Sequence, residues 1–335
     1  MIRGVFHSSY TVSDVERSVQ FCGHGLGIEH TKWQVSDQPY LAAVTGIPGV
    51  SLRIGFARAE GDDSLFEMVE YVHPKGGRAN TGFGVPGSIH VAWAVDSLYA
   101  AVKRLEASGV QVLAAAHPVA DGAWPSAQGV FLLDPDGLLV ELIEPKVGPD
   151  GTGRLLRLHH TSFTVTSLDH TIEVLCDKLG LTLQATSVCD SSYLRHFSSM
   201  RDNRVKMAYL AIPGAEHRIE LWQFVAPSGN RTDTSPTKVG NGHLCLLVDG
   251  IWDEYRALRA KGIPFAGEPT EITAGANKGG YSIYFRAGED IRMELFQRPL
   301  PSASLGIDSS QPRGKERRNE HLQGTHGTYH QAAPG

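Results

Sequence analysis

The chain has 335 residues, more than one hydrophobic core usually serves, so its length predicts two domains of ordinary size. Hydrophobic residues make up 41% and charged residues 20%, as in soluble globular proteins, and a net charge of -5 gives no electrostatic reason to expect nucleic acid as a partner. No segment approaches the roughly 20 apolar residues that span a bilayer, so we expect a cytoplasmic protein without a membrane partner.

The cysteines exclude two further classes of protein. Four of them are scattered along the chain without a CxxC pair, at Cys22, Cys176, Cys189 and Cys245. This spacing argues against a disulfide framework and against a zinc site built from thiolates. We expect reduced, mostly buried side chains.

In chain order, the first half of the chain predicts a strand, a helix and three strands, and this pattern occurs there twice. The segment GSIHVAWAV is strand-like, and DSLYAAVKRLEASG is an amphipathic helix closed by Gly109. The segment GVFLLDPDGLLVELIEP predicts a hairpin that turns on residues 134–137. GHLCLLV, DGIWDEYRALRAKG and YSIYFRAGEDIRMELF repeat these elements later in the chain.

The chain is an internal repeat. FHSSYTVSDVERSVQFCGHGLGI, starting at Phe6, aligns with HHTSFTVTSLDHTIEVLCDKLGL, starting at His159, at an offset of 153 residues. The same offset carries Glu67 onto Glu220 and Glu141 onto Glu294 without a net gap. Four βαβββ modules are therefore predicted, roughly over 1–80, 85–147, 155–235 and 240–300.

These modules predict an α+β fold with two domains, 1–147 and 155–300, joined by a Gly-rich linker over 148–154. Residues 301–335 are almost free of large apolar side chains and cannot repay the entropy of folding, so we expect a disordered tail. The histidines of that tail, His321, His326 and His330, are interpreted as solvated.

Each module carries a His on its first strand and a Glu on its last. A single such His is often a hydrogen-bonded core residue, but carboxylates within apolar strands are costly unless they are paired with a metal or a cation. The His-to-Glu spacings of 60 and 51 residues occur in both copies. The candidate metal ligands are His7, Glu67, His90, Glu141, His160, Glu220, His243 and Glu294.

Imidazole nitrogens with carboxylate oxygens favour a divalent first-row ion, such as Fe, Ni, Mn, Co or Zn. This His/Glu/His/Glu pattern, together with DPDGLLVELIEP, resembles the vicinal oxygen chelate superfamily over about residues 4–300. The resemblance implies open, curved mixed sheets, each built from two modules around one metal that two neighbouring oxygens of a small substrate chelate. It leaves open whether adjacent modules share a sheet or the copies exchange partners, and it allows a further homodimer.

Members of the superfamily catalyse several reactions, and cyclitol epimerases of the valiolone type suit two carboxylates best. A metal that binds both oxygens of a hydroxy ketone stabilises the enediolate that proton removal creates. We therefore expect a metal-dependent isomerase or epimerase acting on a sugar-derived or cyclitol hydroxy ketone. Its bases would be Glu67 with Glu141, or Glu220 with Glu294, on opposite sides of the substrate.

Three alternatives stay open. Tyr284, ten residues before Glu294, resembles an active-site Tyr of the extradiol dioxygenases, but the His that precedes it in that family is missing from NKGGYSIY. A glyoxalase I-type lyase would need cations for glutathione, and no specific pattern of Arg or Lys is found. Resistance proteins that only bind drugs usually lack the metal set. Five aromatic residues are candidates for lining a substrate cleft, although we expect most of them to pack in the core: Trp93, Trp124, Trp222, Tyr40 and Tyr193.

Overall fold

Each module begins with a strand whose side chains are mostly buried on both faces, and in the strands Ile2–Thr11 and Leu155–Thr164 this includes polar side chains such as Ser8 and Thr161. The computed structural model describes residues 1–119, 126–147, 151–189, 192–198, 204–226 and 229–300. The predicted tail and part of the predicted linker lie outside these ranges. The described part of Met1–Leu300 belongs to one compact unit.

The first two modules contain the following elements, in chain order: β1 (Ile2–Thr11), α1 (Val15–Gln20), a π-helical segment (Phe21–Leu26), β2 (Glu29–His30), β3 (Gln34–Ser36), α2 (Tyr40–Thr45), β4 (Ser51–Arg58), β5 (Leu65–His73), β6 (Ile89–Val95), α3 (Leu98–Ala107), β7 (His117–Pro118), β8 (Gln128–Leu133) and β9 (Leu139–Glu144). The predicted helix and closing hairpin are both confirmed. Gly109 follows α3 with a φ of 75°, which favours glycine at this helix end.

The last two modules repeat the pattern: β10 (Leu155–Thr164), α4 (Leu168–Glu173), a π-helical segment (Val174–Lys178), β11 (Thr182–Cys189), α5 (Ser192–Phe197), β12 (Val205–Ala211), β13 (Arg218–Phe224), β14 (Gly242–Val248), α6 (Ile251–Ala260), β15 (Thr270–Glu271), β16 (Tyr281–Ala287), a 3-10 turn (Gly288–Asp290) and β17 (Ile291–Gln297). In each copy the helix after the first strand is capped by a side chain. The carboxylate of Asp14 accepts from the N–H of Arg17, and Ser167 caps α4 in the same way.

The strands form two curved mixed sheets, and each sheet combines one module from each copy. The first has the order β15-β16-β17-β14-β1-β5-β4-β2, with β3 also paired to β4. The second has the order β11-β12-β13-β10-β6-β9-β8-β7. At the centre of each sheet two first strands pair antiparallel, β1 with β14 and β10 with β6. The copies therefore exchange modules, which answers the question that the sequence left open.

The predicted domain boundaries describe the two copies of the repeat and stay a prediction. The sheets do not follow them, because each sheet contains one module from each copy. The two sheets pack on each other along β1 and β10. Here the Ser8 and Thr161 hydroxyls, related by the repeat, lie 2.7 Å apart in the buried centre. The largest buried side chains include Trp93 and Trp222, and burying each large apolar side chain contributes about 1.5–3 kcal/mol.

Hydrogen bonds also connect the sheets at their ends. The Asp136 carboxylate accepts from the backbone N–H of Ser13 at 2.7 Å and from its hydroxyl at 2.6 Å. In the second copy the Glu289 carboxylate accepts from the N–H and hydroxyl of Thr166 in the same way. Each contact joins a closing turn of one sheet to the end of a first strand of the other.

Among the side chains that the structure describes, those of Cys22, Cys176 and Cys245 are free thiols, and Cys22 and Cys245 are buried, as predicted. The side chain of Cys189 lies outside the described part of the structure. In the part of the chain that the structure describes, no helix is both long enough and apolar enough to cross a membrane.

Candidate metal centres

The eight predicted ligands gather in two buried clusters, one on each sheet. Site A contains His7 on β1, Glu67 on β5, His243 on β14 and Glu294 on β17. Site B contains His90 on β6, Glu141 on β9, His160 on β10 and Glu220 on β13. In both sites the two His come from the central antiparallel strands and the two Glu from the parallel strands beside them.

In site A the donor atoms converge on one point. The Nε2 atoms of His7 and His243 lie 2.8 Å apart. The Oε2 atom of Glu294 is 3.2 Å from each of these nitrogens. The Oε2 atom of Glu67 approaches the same pair, at 3.4 Å from His7 and 3.5 Å from His243. Two nitrogens and two carboxylate oxygens thus surround a small buried volume.

Site B has the same types of ligand, and here one atom from each of the four side chains lies within 4.8 Å of the others. The Nε2 atoms of His90 and His160 lie 3.4 Å apart. Glu141 approaches them with Oε2 at 3.4 Å and 3.1 Å, and Glu220 at 3.7 Å and 3.3 Å. The repeat therefore generates the same set of donors twice, once on each sheet.

The module exchange corrects one expectation from the sequence. Glu67 was expected opposite Glu141, and Glu220 opposite Glu294, as pairs of bases within one copy. Those pairs are wrong, because each sheet combines one module of the first copy with one module of the second. Glu67 instead faces Glu294, and Glu141 faces Glu220.

The residues fit a divalent cation. The Oε2 atoms of Glu67, Glu141 and Glu220 are buried and have no hydrogen-bond partner within the described ranges. Such carboxylate oxygens are costly to bury unless a cation or a metal compensates them. A set of two imidazoles and two carboxylates suits a divalent first-row ion, although it does not identify which one.

Electrostatic coupling keeps the site B carboxylates ionised. Burial alone would raise the pKa of Glu141, but the contacts with His160 and His90 lower it to about 2. Burial alone would lower the pKa of His160, but the attraction of Glu220 and the close approach of both carboxylates raise it to about 9. The buried carboxylates therefore carry negative charge at neutral pH and attract a cation.

Site A shows the same tendency. Burial would raise the pKa of Glu294, yet the hydrogen bonds from His243 and His7 hold it well below its usual range. The pKa of His7 is raised despite burial, because of Glu67 and Glu294. The pKa of His243 is lowered, chiefly by burial.

The surroundings of the two sites differ. A cavity of about 210 Å³ opens above site A, and His7, Glu67 and Glu294 line its floor. Tyr284, which the sequence indicated as catalytic, also lines it, with its hydroxyl 3.4 Å from Nε2 of His243. The polar side chains around the cavity are mostly uncharged, as in Gln34, Ser36, Gln38, Asn277 and Ser282.

Aromatic rings pack over site B. The ring centroid of Trp222 is 4.7 Å from that of His90, and the Phe131 ring is 5.4 Å from it. Phe131 in turn contacts Phe197 edge-on at 5.3 Å. The repeat-related residues in site A are Val69, Tyr284 and Val44, which leave more room or carry a hydroxyl.

Several polar residues near the sites were not predicted from the sequence. His159 lies beside site B, with its Nδ1 atom 3.0 Å from Nδ1 of His160. His217 lies nearby, 2.9 Å from the Thr161 hydroxyl. The Ser282 hydroxyl donates to Oε1 of Glu294. The repeat register could have identified them, because it places them opposite Phe6, Ser64 and Gly129.

Comparison with known proteins agrees with this architecture. Residues 4–142 and 157–302 match the family model described as the glyoxalase/bleomycin resistance protein/dioxygenase superfamily. A 2-epi-5-epi-valiolone epimerase of an Actinomyces species is 27% identical over 146 residues, which is 42% of this chain and 79% of that protein. A lactoylglutathione lyase of Schizosaccharomyces pombe is 22% identical over 286 residues, or 79% of this chain and 88% of that protein.

A solved structure shares the fold. Glyoxalase I from Zea mays superposes with a TM-score of 0.60 at 15% identity, covering 89% of this chain and 92% of that chain. At this identity the likeness shows the fold alone. Together with the family match, it confirms the predicted α+β class and the resemblance on which it depended.

Proposed function

Because the chain belongs to the glyoxalase/bleomycin resistance protein/dioxygenase superfamily, we propose that it is a divalent-metal-dependent isomerase or epimerase. Site A would be its active site. The reaction would move a proton next to the carbonyl of a small hydroxy ketone of the sugar-derived or cyclitol type. The similarity to a valiolone epimerase supports this choice.

One observation carries the proposal: two carboxylates approach the same pair of imidazoles at the floor of an open cavity. Glu67 comes from β5 and Glu294 from β17, on opposite sides of the central strands β1 and β14. In an epimerisation one carboxylate takes the proton from carbon on one face, and the other returns a proton to that carbon from the opposite face. No electron acceptor is needed.

The remaining residues of site A support this chemistry. When bound, a divalent ion would supply Lewis-acid polarisation of the substrate carbonyl. His7 and His243, with the two Glu, are the residues that would hold it. The Tyr284 hydroxyl stays protonated at neutral pH, because burial and the nearby Glu294 carboxylate raise its pKa well above the usual range. It can therefore donate a hydrogen bond to a substrate oxygen.

The cavity lining favours a neutral substrate rich in hydroxyl groups. Gln34, Ser36, Gln38 and Asn277 offer amide and hydroxyl groups that both donate and accept hydrogen bonds. Among the described residues that line the cavity, there is no Lys or Arg. A glutathione conjugate carries carboxylates that need cationic partners, so the lining supports a lactoylglutathione lyase less well than a cyclitol or sugar epimerase.

A second candidate is an extradiol dioxygenase acting on a catechol. His7, His243 and Glu294 alone form a set whose donor atoms lie within 4.8 Å of one another. Two His and one carboxylate are the ligands of non-haem iron oxygenases. The Tyr284 hydroxyl beside His243 also favours the dioxygenase. Glu67, at 3.4 Å from His7, is the extra carboxylate that favours the isomerase.

Proton NMR in deuterated water distinguishes the two reactions. Metal-loaded protein would be incubated with a panel of hydroxy ketones, cyclitols and catechols, with and without oxygen. We expect oxygen-independent deuterium incorporation at the carbon next to a carbonyl. Oxygen-dependent loss of the aromatic signals of a catechol, without exchange in any ketone, would instead establish the dioxygenase. Glu67→Gln serves as a control against exchange catalysed by free metal.

A further inference from the structure

The repeat places a tyrosine at the same position beside both sites, but only one of them reaches its carboxylate. Tyr193 on α5 corresponds to Tyr40 on α2, and Glu141 corresponds to Glu294. In site B the Tyr193 hydroxyl donates to Oε1 of Glu141, and the side chain is 6% exposed. In site A Tyr40 is half-buried and lines the open cavity.

The residue at a third matched position explains this difference. In site A the Ser282 hydroxyl donates to Oε1 of Glu294. The corresponding residue in site B is Gly129, which has no side chain to make that bond. A Cβ atom at Gly129 would lie 1.9 Å from the Tyr193 hydroxyl oxygen, so any side chain there would displace the phenol. Gly129 leaves the space, and the Tyr193 hydroxyl fills it.

Neighbouring rings hold Tyr193 in this position. Its centroid is 5.1 Å from that of Phe197 and 5.8 Å from that of Phe131, which packs on His90. The four side chains of site B are correspondingly 1–4% exposed, whereas those of site A are 4–9% exposed. The phenol therefore occupies the side of site B that corresponds to the cavity of site A.

We propose that site B is a closed metal site in which Tyr193 takes the place that substrate takes in site A, and that Gly129 rather than serine permits this closure. One chain would then hold one ion at an accessible site and one at a sealed site that stabilises the second sheet. The proposal does not depend on which reaction site A catalyses.

Closure has a measurable consequence, because a chelator must reach an ion to remove it. The full chain would be loaded with Zn²⁺ and mixed with an excess of a chelating dye, and release would be followed by absorbance. We expect two phases of equal amplitude, one fast and one slow, each from one ion per chain. A single fast phase, or binding of one ion per chain, would overturn the proposal.

Two variants assign the slow phase to site B. Gly129→Ser expels the phenol by its side chain, and Tyr193→Ala removes the phenol without adding an atom to the strand. In both we expect the slow release to become about tenfold faster or more, the size of effect that residues behind metal ligands commonly have. If either variant fails to fold, the other still tests the closure.

Tyr40→Ala is the matched control, since it makes the same truncation at the repeat-related position of the open site. It should leave the slow phase unchanged. Tyr193→Phe keeps the ring and loses the bond to Glu141, so its slow phase should stay much slower than that of Tyr193→Ala. A slow phase that is the same in wild type, Gly129→Ser and Tyr193→Ala would contradict the closure.

Discussion

His7 and His243 lie with their Nε2 atoms 2.8 Å apart, although 236 residues separate them in the chain. The contact exists because β1 and β14 pair antiparallel at the centre of one sheet. Each candidate metal centre is therefore shared between the two copies of the repeat, and removing a ligand from one copy should affect a site that both copies build.

The first prediction concerns metal stoichiometry. Replacing His7 by Ala removes a nitrogen from site A and leaves site B, on the other sheet, intact. We expect the bound metal to fall from two ions per chain to one, as measured by elemental analysis of dialysed protein. His90→Ala should have the same effect through site B, and the double variant should bind none. Full occupancy in both single variants would refute the ligand assignment.

The second prediction concerns the base. Glu67→Gln keeps the size of the side chain but removes its ability to accept a proton, so kcat for the substrate found by NMR should fall by about 10²- to 10⁴-fold. Glu220→Gln makes the same change at the repeat-related position of site B. It should cost far less activity, since aromatic rings cover that site. Equal losses in the two variants would mean that site A is not the active site.

The third prediction concerns the contact that joins the sheets. Asp136→Ala removes the acceptor for the N–H and hydroxyl of Ser13 and leaves this N–H without its partner. The free energy of unfolding should decrease by about 1–3 kcal/mol, as for other lost hydrogen bonds to a charged group. Denaturation by urea would measure it. Arg17→Ala, which removes the half-exposed partner of the same carboxylate, should cost less than about 1 kcal/mol.

The fourth prediction concerns pH. Burial raises the pKa of Asp134, in the turn between β8 and β9, from 3.8 to about 7. Because the folded pKa exceeds the unfolded one, the native state binds an extra proton between these values. The stabilising contribution of Asp134 is thus complete below about pH 4 and is lost as the pH rises through 7.

Asp134→Asn removes this titration and still offers an oxygen to the N–H groups of Asp136 and Leu138. Relative to the variant, the wild type should therefore lose stability as the pH rises from 4 to 7, in urea denaturation at several pH values. Parallel pH profiles for the two proteins would show that Asp134 does not titrate in this range.

The sequence by itself determined the repeat, the modules and the eight candidate ligands. A fixed offset of 153 residues aligns apolar strands, helices and turns, and these patterns depend on local periodicity and on the burial of each strand. A glutamate such as Glu141 within an apolar strand also stands out without any structure, because an unpaired carboxylate there is costly. The closing hairpin and the helix before Gly109 followed for the same local reasons.

The tertiary structure alone decided which modules pair, and therefore which carboxylates face each other. Both pairings bury the same strand faces, so the apolar pattern cannot distinguish a sheet within one copy from a sheet shared by two. The difference between the sites was also invisible in the pattern, because it depends on Gly129 and Ser282, two small residues on equivalent strands. It follows from tertiary contacts, because Gly129 lies beside the Tyr193 phenol of another element and Ser282 donates to Glu294.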